Sequence, residues 1–221
     1  MVIHTLQEVF EENRNPEIAA GQKAYMRNQF EFLGIKTPLR KALQKPFLRK
    51  DSLPPKNELH KIVKTLWKKP EREYQYFAQE LVQKYMTQLE KKDILLFEFM
   101  ITHKSWWDTV DAIATKPTGA YFKTFPEERD ARIAKWIASD NLWLQRTAIL
   151  FQLNYKEELD TDFLSYVINA LIPSDEFFIN KAIGWILRQY SKTHPQWVLD
   201  FAERTPLSPL SQREGLRLIL H

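Results

Sequence analysis

Arg146-Thr147-Ala148-Ile149-Leu150-Phe151-Gln152-Leu153-Asn154-Tyr155 resembles two other stretches of the same chain. One is Tyr76-Phe77-Ala78-Gln79-Glu80-Leu81-Val82-Gln83-Lys84-Tyr85, and the other is Lys181-Ala182-Ile183-Gly184-Trp185-Ile186-Leu187-Arg188-Gln189-Tyr190. The closing tyrosines stand at 85, 155 and 190, so the gaps are 70 residues and then 35. A period near 35 with helix–turn–helix content reads as an α-solenoid, in which each pair buries its apolar face against its neighbours. The segment around Trp107 fills the vacant slot, and residues 209–220 supply a last copy. The first helices of the pairs are expected at roughly 58–68, 92–102, 127–139, 162–172 and 195–203. The fold class expected is therefore all-α, an α-solenoid of helix pairs.

Composition agrees. The 221 residues include only five glycines, while Leu, Ala, Gln, Glu, Lys and Arg are plentiful, so helices are favoured over strands and their turns. The length suits one domain, 1–221, with an N-terminal helical unit over 1–50 and about five helix pairs over 58–221. With no cysteine, disulfides, thiolate metal sites and thiol catalysis are all excluded. The net charge of +4 permits a polyanionic partner without requiring one. No apolar run is long enough to span a bilayer and no signal peptide is apparent, so a soluble, cytoplasmic protein is expected.

The N-terminal unit should open a helix at Asn15-Pro16, with Asn as cap and Pro in the first turn. That helix is expected to run to Phe32 and stop at Gly34, and Thr37-Pro38 should start the next. Lys23, Arg27, Lys36 and Arg40, with Tyr25 and Phe30 between them, make either a solvated basic face or a surface that tracks phosphates.

Ser105-Trp106-Trp107-Asp108-Thr109-Val110-Asp111 carries the chemistry. Read as a helix, Trp107 and Asp111 are four residues apart and share a face, while Trp106, Val110 and Ile113 read as core. An indole beside a carboxylate suits a cationic or electron-poor partner. Ordinary packing of Trp and a helix-dipole role for Asp are the alternatives. Asp111, Arg146 and Lys181 are spaced by 35, so they are expected in one row across successive repeats. On the helix of residues 176–190, Lys181, Trp185 and Arg188 share a face. Such a basic, aromatic face with one acid suits a nucleic acid. Helical arrays also use Asp–Arg ladders between repeats, which gives Asp111–Arg146 a purely structural reading beside the functional one.

There is no glycine-rich phosphate loop and no Gly-x-Ser-x-Gly elbow. The five histidines are scattered, so neither a metal site nor a cofactor is expected.

Residues 105–111, then 135–146 (Lys-Trp-Ile-Ala-Ser-Asp-Asn-Leu-Trp-Leu-Gln-Arg) and 177–185 (Phe-Phe-Ile-Asn-Lys-Ala-Ile-Gly-Trp), resemble the AlkD-type DNA alkylation repair glycosylases. Residues 32–38 and 209–214 resemble that family too, so the likeness covers nearly the whole chain. The resemblance implies a HEAT-like scaffold with a concave basic cleft for duplex DNA. It implies excision of positively charged alkylated purines of the 7-methylguanine and 3-methyladenine types, without strand cleavage and by a monomer. It makes Asp111 the acid next to the scissile glycosidic bond, and Trp107 and Trp185 the aromatics at the lesion nucleotide's sugar. Arg146 would stand near the flanking phosphate and Tyr25 close to the DNA. Arg27, Lys36, Thr37, Lys181 and Arg188 complete the expected DNA-binding set. The alternative is a non-catalytic helical-repeat protein that binds DNA. A protein-binding scaffold is a third reading, and it predicts weak, salt-insensitive DNA affinity.

Overall fold

The first helices of the expected pairs lie within two residues of their expected starts and ends: Leu59–Trp67, Asp93–Thr102, Arg129–Ile137, Thr161–Leu171 and Pro195–Arg204. The computed structural model describes residues 2–220. Among these it is all-α, with no strand beyond a single bridge between Glu31 and Glu71. No helix among the described residues is long and apolar enough to cross a membrane.

The chain divides into two compact units, Met1–Gln88 and Leu89–His221. The first takes in the expected N-terminal segment and one helix pair. It holds α1 (Val2–Glu12), α2 (Pro16–Tyr25), α3 (Thr37–Gln44), α4 (Leu59–Trp67) and α5 (Arg72–Gln83). The second holds α6 (Asp93–Thr102), α7 (Trp107–Ile113), α8 (Gly119–Thr124), α9 (Arg129–Ile137) and α10 (Leu142–Leu150). It continues with α11 (Thr161–Leu171), α12 (Phe177–Tyr190), α13 (Pro195–Arg204) and α14 (Pro209–Gly215). A π-helical turn, Ala114–Thr118, joins α7 to α8 and contains Pro117.

Within the first unit, Asn15 caps α2 as expected, its side chain accepting from the Ile18 amide at 3.0 Å. The helix nevertheless ends at Tyr25 and not at Phe32. Arg27 and Asn28 turn into the left-handed region, with φ of 53° and 58°. The chain then extends as far as α3, and a distant residue holds it there. The buried carboxylate of Glu73, on α5, accepts from the amides of Leu33, Gly34 and Ile35 at 3.0, 3.0 and 3.1 Å. Gly34 has φ +88°, and a Cβ there would lie 2.0 Å from the Asn15 carbonyl oxygen. Only glycine fits that turn.

The repeat shows in recurring polar anchors. Gln75, Gln145 and Asn180 stand at spacings of 70 and 35, matching the closing tyrosines. Each donates its side-chain amide to carbonyls before its own helix: Gln75 to Leu66, Trp67 and Lys69 at the end of α4, Gln145 to Ile137 and Ser139 at the end of α9, and Asn180 to Ser174 and Glu176 in the turn that leads into α12. At α4 and α9 these bonds satisfy carbonyls that a helix end leaves orphaned. The tyrosines act similarly: Tyr85 donates to the Pro54 carbonyl, and Tyr155 to that of Gly119 at 2.7 Å. The vacant slot is filled by Tyr121, which donates to the Lys91 carbonyl at 3.1 Å. It comes one residue later than the period predicts, and the π-turn before it supplies that extra residue.

Candidate active site on three helices of the second unit

Trp106 is fully extended, with φ −159° and ψ 159°, and α7 starts immediately after it. Trp107 is the first residue of α7 and Asp111 stands one turn further on, both half-buried. Val110 and Ile113 on the opposite side are completely buried, as expected. Trp106 is half-buried instead of core. It joins an aromatic cluster, its ring centroid 5.7 Å from that of Trp143 and 5.3 Å from that of Phe178. Phe178 also packs on Trp143 at 5.0 Å, and exposed Phe177 closes the edge at 5.3 Å.

Asn141 caps α10 by accepting from the Trp143 and Leu144 amides at 3.0 and 3.1 Å. One turn in, Arg146 is only 4% exposed. It donates from Nε to Asp111 Oδ1 at 2.7 Å and from Nη2 to Asp111 Oδ2 at 2.8 Å. Nη1 donates to the Phe178 carbonyl, in the first turn of α12. One guanidinium thus ties α7, α10 and α12 together, in the bidentate geometry that planar Arg favours. Burial pushes the Asp111 carboxyl above its ordinary value. The hydrogen bonds and charge of Arg146 pull against that shift, and neighbouring Asp108 adds to it.

Lys181 does not join the Asp111–Arg146 pair. Its Nζ lies 2.8 Å from Glu214 Oε1 on α14, and Arg188 reaches Oε2 of the same carboxylate at 2.5 Å. Lys181 and Arg188 hold the Glu214 carboxyl below its ordinary range, Lys181 contributing most, against the opposing effect of burial. Trp185 is half-buried on α12, between these two cations in sequence. Further ion pairs of the same inter-repeat kind join Glu98 to Arg132 at 3.2 Å and Asp160 to Arg129 at 2.9 Å.

In the first unit, Tyr25 is 72% exposed. Tyr25, Lys36 and Thr37 line one open pocket, from which Arg27 is absent. Two residues of the expected basic face are buried instead. Arg40 is 5% exposed and is held by Gln44 at 2.7 Å and Glu80 at 2.9 Å. Phe30 lies beneath the Arg72 guanidinium, 3.8 Å from its ring centroid. Lys23 pairs with Glu31. No cluster of potential metal ligands occurs among the described residues.

The sequence matches the family model described as DNA alkylation repair enzyme over residues 6–219. The chain belongs to the DNA alkylation repair enzyme family. A solved structure described as a predicted DNA alkylation repair enzyme from Enterococcus faecalis is 39% identical. The likeness covers 94% of this chain and 97% of that one, with a TM-score of 0.86. A comparison with curated proteins returns no match.

For a DNA alkylation repair enzyme, the sequence pattern singles out Asp111, Trp107 and Trp185 but not the residues that hold them. Glu214 was legible only as part of a resembling stretch, with no sign that it would take both Lys181 and Arg188. The cluster of Trp106, Trp143 and Phe178 carried one usable signal, namely three large aromatics in the segments that flank Asp111 and Arg146.

Proposed function

We propose that this chain is a monofunctional DNA glycosylase. It hydrolyses the N-glycosidic bond of positively charged N7- or N3-alkylated purines, such as 7-methylguanine and 3-methyladenine, in duplex DNA. The observation that carries the reading is a carboxylate, Asp111, pinned by Arg146 one turn from the half-buried indole of Trp107. Membership of the DNA alkylation repair enzyme family supports it.

A cationic alkylpurine leaves as a neutral base, so the leaving group needs little protonation. The demand falls on the sugar, which gathers positive charge as the bond between C1′ and the base nitrogen breaks. A fixed carboxylate stabilises that charge, and indole faces add cation–π attraction. Water then bonds to C1′, and its proton passes to Asp111 or to solvent. The products are the free base and an abasic site, with both strands intact. In this reading Trp107 and Trp185 flank the sugar, and Arg146 is a positioning residue that fixes the direction of the Asp111 oxygens. Tyr25, Arg27, Lys36, Thr37, Lys181 and Arg188 contact the DNA backbone. The enzyme acts as a monomer without a cofactor.

One observation favours a second reading. Both oxygens of Asp111 are taken by Arg146, as in a purely structural ladder. The chain would then be a DNA-binding protein without catalysis. The deciding experiment measures release of 7-methylguanine from methylated duplex DNA by the wild type and by Asp111→Asn, with DNA affinity measured alongside. Release by the wild type alone supports the glycosylase. No release by either, with salt-sensitive binding intact, supports the second reading.

A further inference from the structure

Tyr85, Tyr121 and Tyr155 donate to carbonyls 31, 30 and 36 residues back in the chain. The hydroxyl of Tyr190 makes no such bond among the described residues. The same span before Tyr190 covers residues 154–160, and there Lys156 and Leu159 line a cavity of about 250 Å³ with Tyr190 itself. The cavity lies within the second unit. Tyr190 is 7% exposed, with His194 stacked on its ring at 4.5 Å and Trp197 against it at 5.4 Å. Its hydroxyl is not sealed, unlike the unpaired hydroxyl of Tyr74. What the side chain still exposes is therefore its phenolic end, in the cavity that it lines.

Burial and the charge of Glu157 push the Tyr190 phenol up, so it stays a donor at neutral pH. Glu157 is itself held by His194 at 3.1 Å. The other free groups of the cavity are donors too. Lys192 Nζ donates to Gln189 Oε1 at 2.8 Å, so the unused end of Gln189 is its amide nitrogen. Lys156 makes no ion pair among the described residues and is held at φ 54°, a left-handed conformation uncommon for lysine. Thr193 uses its hydroxyl on the Tyr190 carbonyl and His194 Nδ1. Leu153 and Leu159, each 7% exposed, give an apolar floor, beside which charges attract more strongly than in open water. A phenol, an amide nitrogen and two ammonium groups thus surround one cavity without a free side-chain acceptor. That set asks for an anion with several acceptor oxygens. We propose that this cavity binds a phosphate group. It lies at the opposite end of α12 from Phe178, whose carbonyl takes Arg146, about 18 Å away along the helix. The site is therefore independent of base excision and of Asp111. The phosphate belongs either to a free compound or to a DNA backbone.

Titration calorimetry of the full chain with inorganic phosphate, against sodium chloride of equal ionic strength, tests the site. We expect saturable heat in the wild type and affinity about tenfold weaker in Tyr190→Phe, as for one lost hydrogen bond to a charged group. Lys156→Ala, at an exposed position, should weaken binding as well. In phosphate-free buffer Tyr190→Phe should melt like the wild type, because it loses no internal bond. Tyr155→Phe, which loses its bond to the Gly119 carbonyl, should melt lower and bind phosphate as the wild type does. Duplex DNA added to the phosphate-loaded protein identifies the source. Release of phosphate assigns the cavity to the backbone, and retention assigns it to a free compound. Absence of saturable heat in the wild type overturns the proposal and leaves Lys192 as a cation that offsets the end of α12. Affinity that Tyr190→Phe and Lys156→Ala both leave unchanged overturns it too.

Discussion

Arg146 grips both carboxylate oxygens of Asp111, at 2.7 and 2.8 Å, from a helix 35 residues further along the chain. With Arg146 4% exposed and the Asp111 side chain 15% exposed, water replaces either partner poorly. Removing the cation leaves a buried, uncompensated charge. Arg146→Ala should therefore cost about 3 kcal/mol of stability, within the range for breaking buried pairs. Urea unfolding measures this. Arg146→Lys should recover part of the stability but little of the excision rate, because one ammonium cannot fix two oxygens. Equal excision by the lysine variant would remove orientation of Asp111 from the mechanism.

The same pair sets a pH dependence. Burial raises the Asp111 carboxyl above its ordinary value, and the proposed chemistry needs it ionised. Excision by the wild type should fall as the pH drops through that raised value, above the ordinary ~3.9 for Asp. Rates of 7-methylguanine release followed downward from neutral pH would show the limb. Asp111→Asn should lose about 10² to 10⁴ in rate, the usual worth of a positioned acid–base group, and should lose the limb with it. A limb that persists in any residual activity would belong to another group.

Stability responds with opposite signs at two carboxylates. Asp111, with a raised folded value, binds its proton more tightly folded than unfolded, so its contribution favours folding at low pH. That contribution is lost as the pH rises from the unfolded value through the folded one. Glu214, held down by Lys181 and Arg188, contributes stability that is present above its unfolded value of about 4.3. It is lost as the pH falls through the lower folded value. Glu214→Gln should thus melt lower than the wild type at pH 7 and begin to converge with it near pH 3 (~3 lies below the unfolded value). Melting curves at the two pH values test the convergence.

Repeat-level features were legible in the sequence because they are local. The cap Asn15 and the helix-starting Pro16, Pro38, Pro195 and Pro209 act within a few residues of themselves. The 35-residue repeat then placed the first helices of the pairs. What the sequence hid is non-local. Helical residues after Tyr25 do not continue α2, because Glu73, about 40 positions away, holds the 33–35 amides in an extended turn. The expected row of Asp111, Arg146 and Lys181 breaks at its third member for an electrostatic reason. Arg146 finds an acid one repeat back, but Lys181 would find Arg146 there, a like charge, and turns forward to Glu214. Spacing gave the row, and charge decided which neighbours within it could pair.

Glu73 should be costly to replace. Glu73→Gln keeps a single acceptor oxygen for three backbone donors, and Glu73→Ala keeps none. At about 1 to 3 kcal/mol for a buried donor left unsatisfied, the alanine variant should lose more than the glutamine variant. Amide hydrogen exchange at residues 33–35 should accelerate in both. Unchanged protection there would mean that the turn is held without Glu73.

Gly184 sets two effects against each other. It lies inside α12, where alanine is the better helix former by about 1 kcal/mol. A Cβ at this position, however, would lie 2.5 Å from the Glu214 Cβ and 3.0 Å from the Ser211 carbonyl oxygen. Ser211 is itself locked, its hydroxyl donating to the Asn180 carbonyl at 2.9 Å, so α14 cannot yield without breaking that bond. Overpacking of this kind costs about 1 to 3 kcal/mol, which outweighs the helix gain. Gly184→Ala should therefore melt lower, and by displacing Glu214 it should also release Lys181 and Arg188. If those cations face DNA in the complex, the variant should bind DNA more tightly while being less stable. A variant that melts lower with unchanged DNA affinity would confine Lys181 and Arg188 to holding α14 in place.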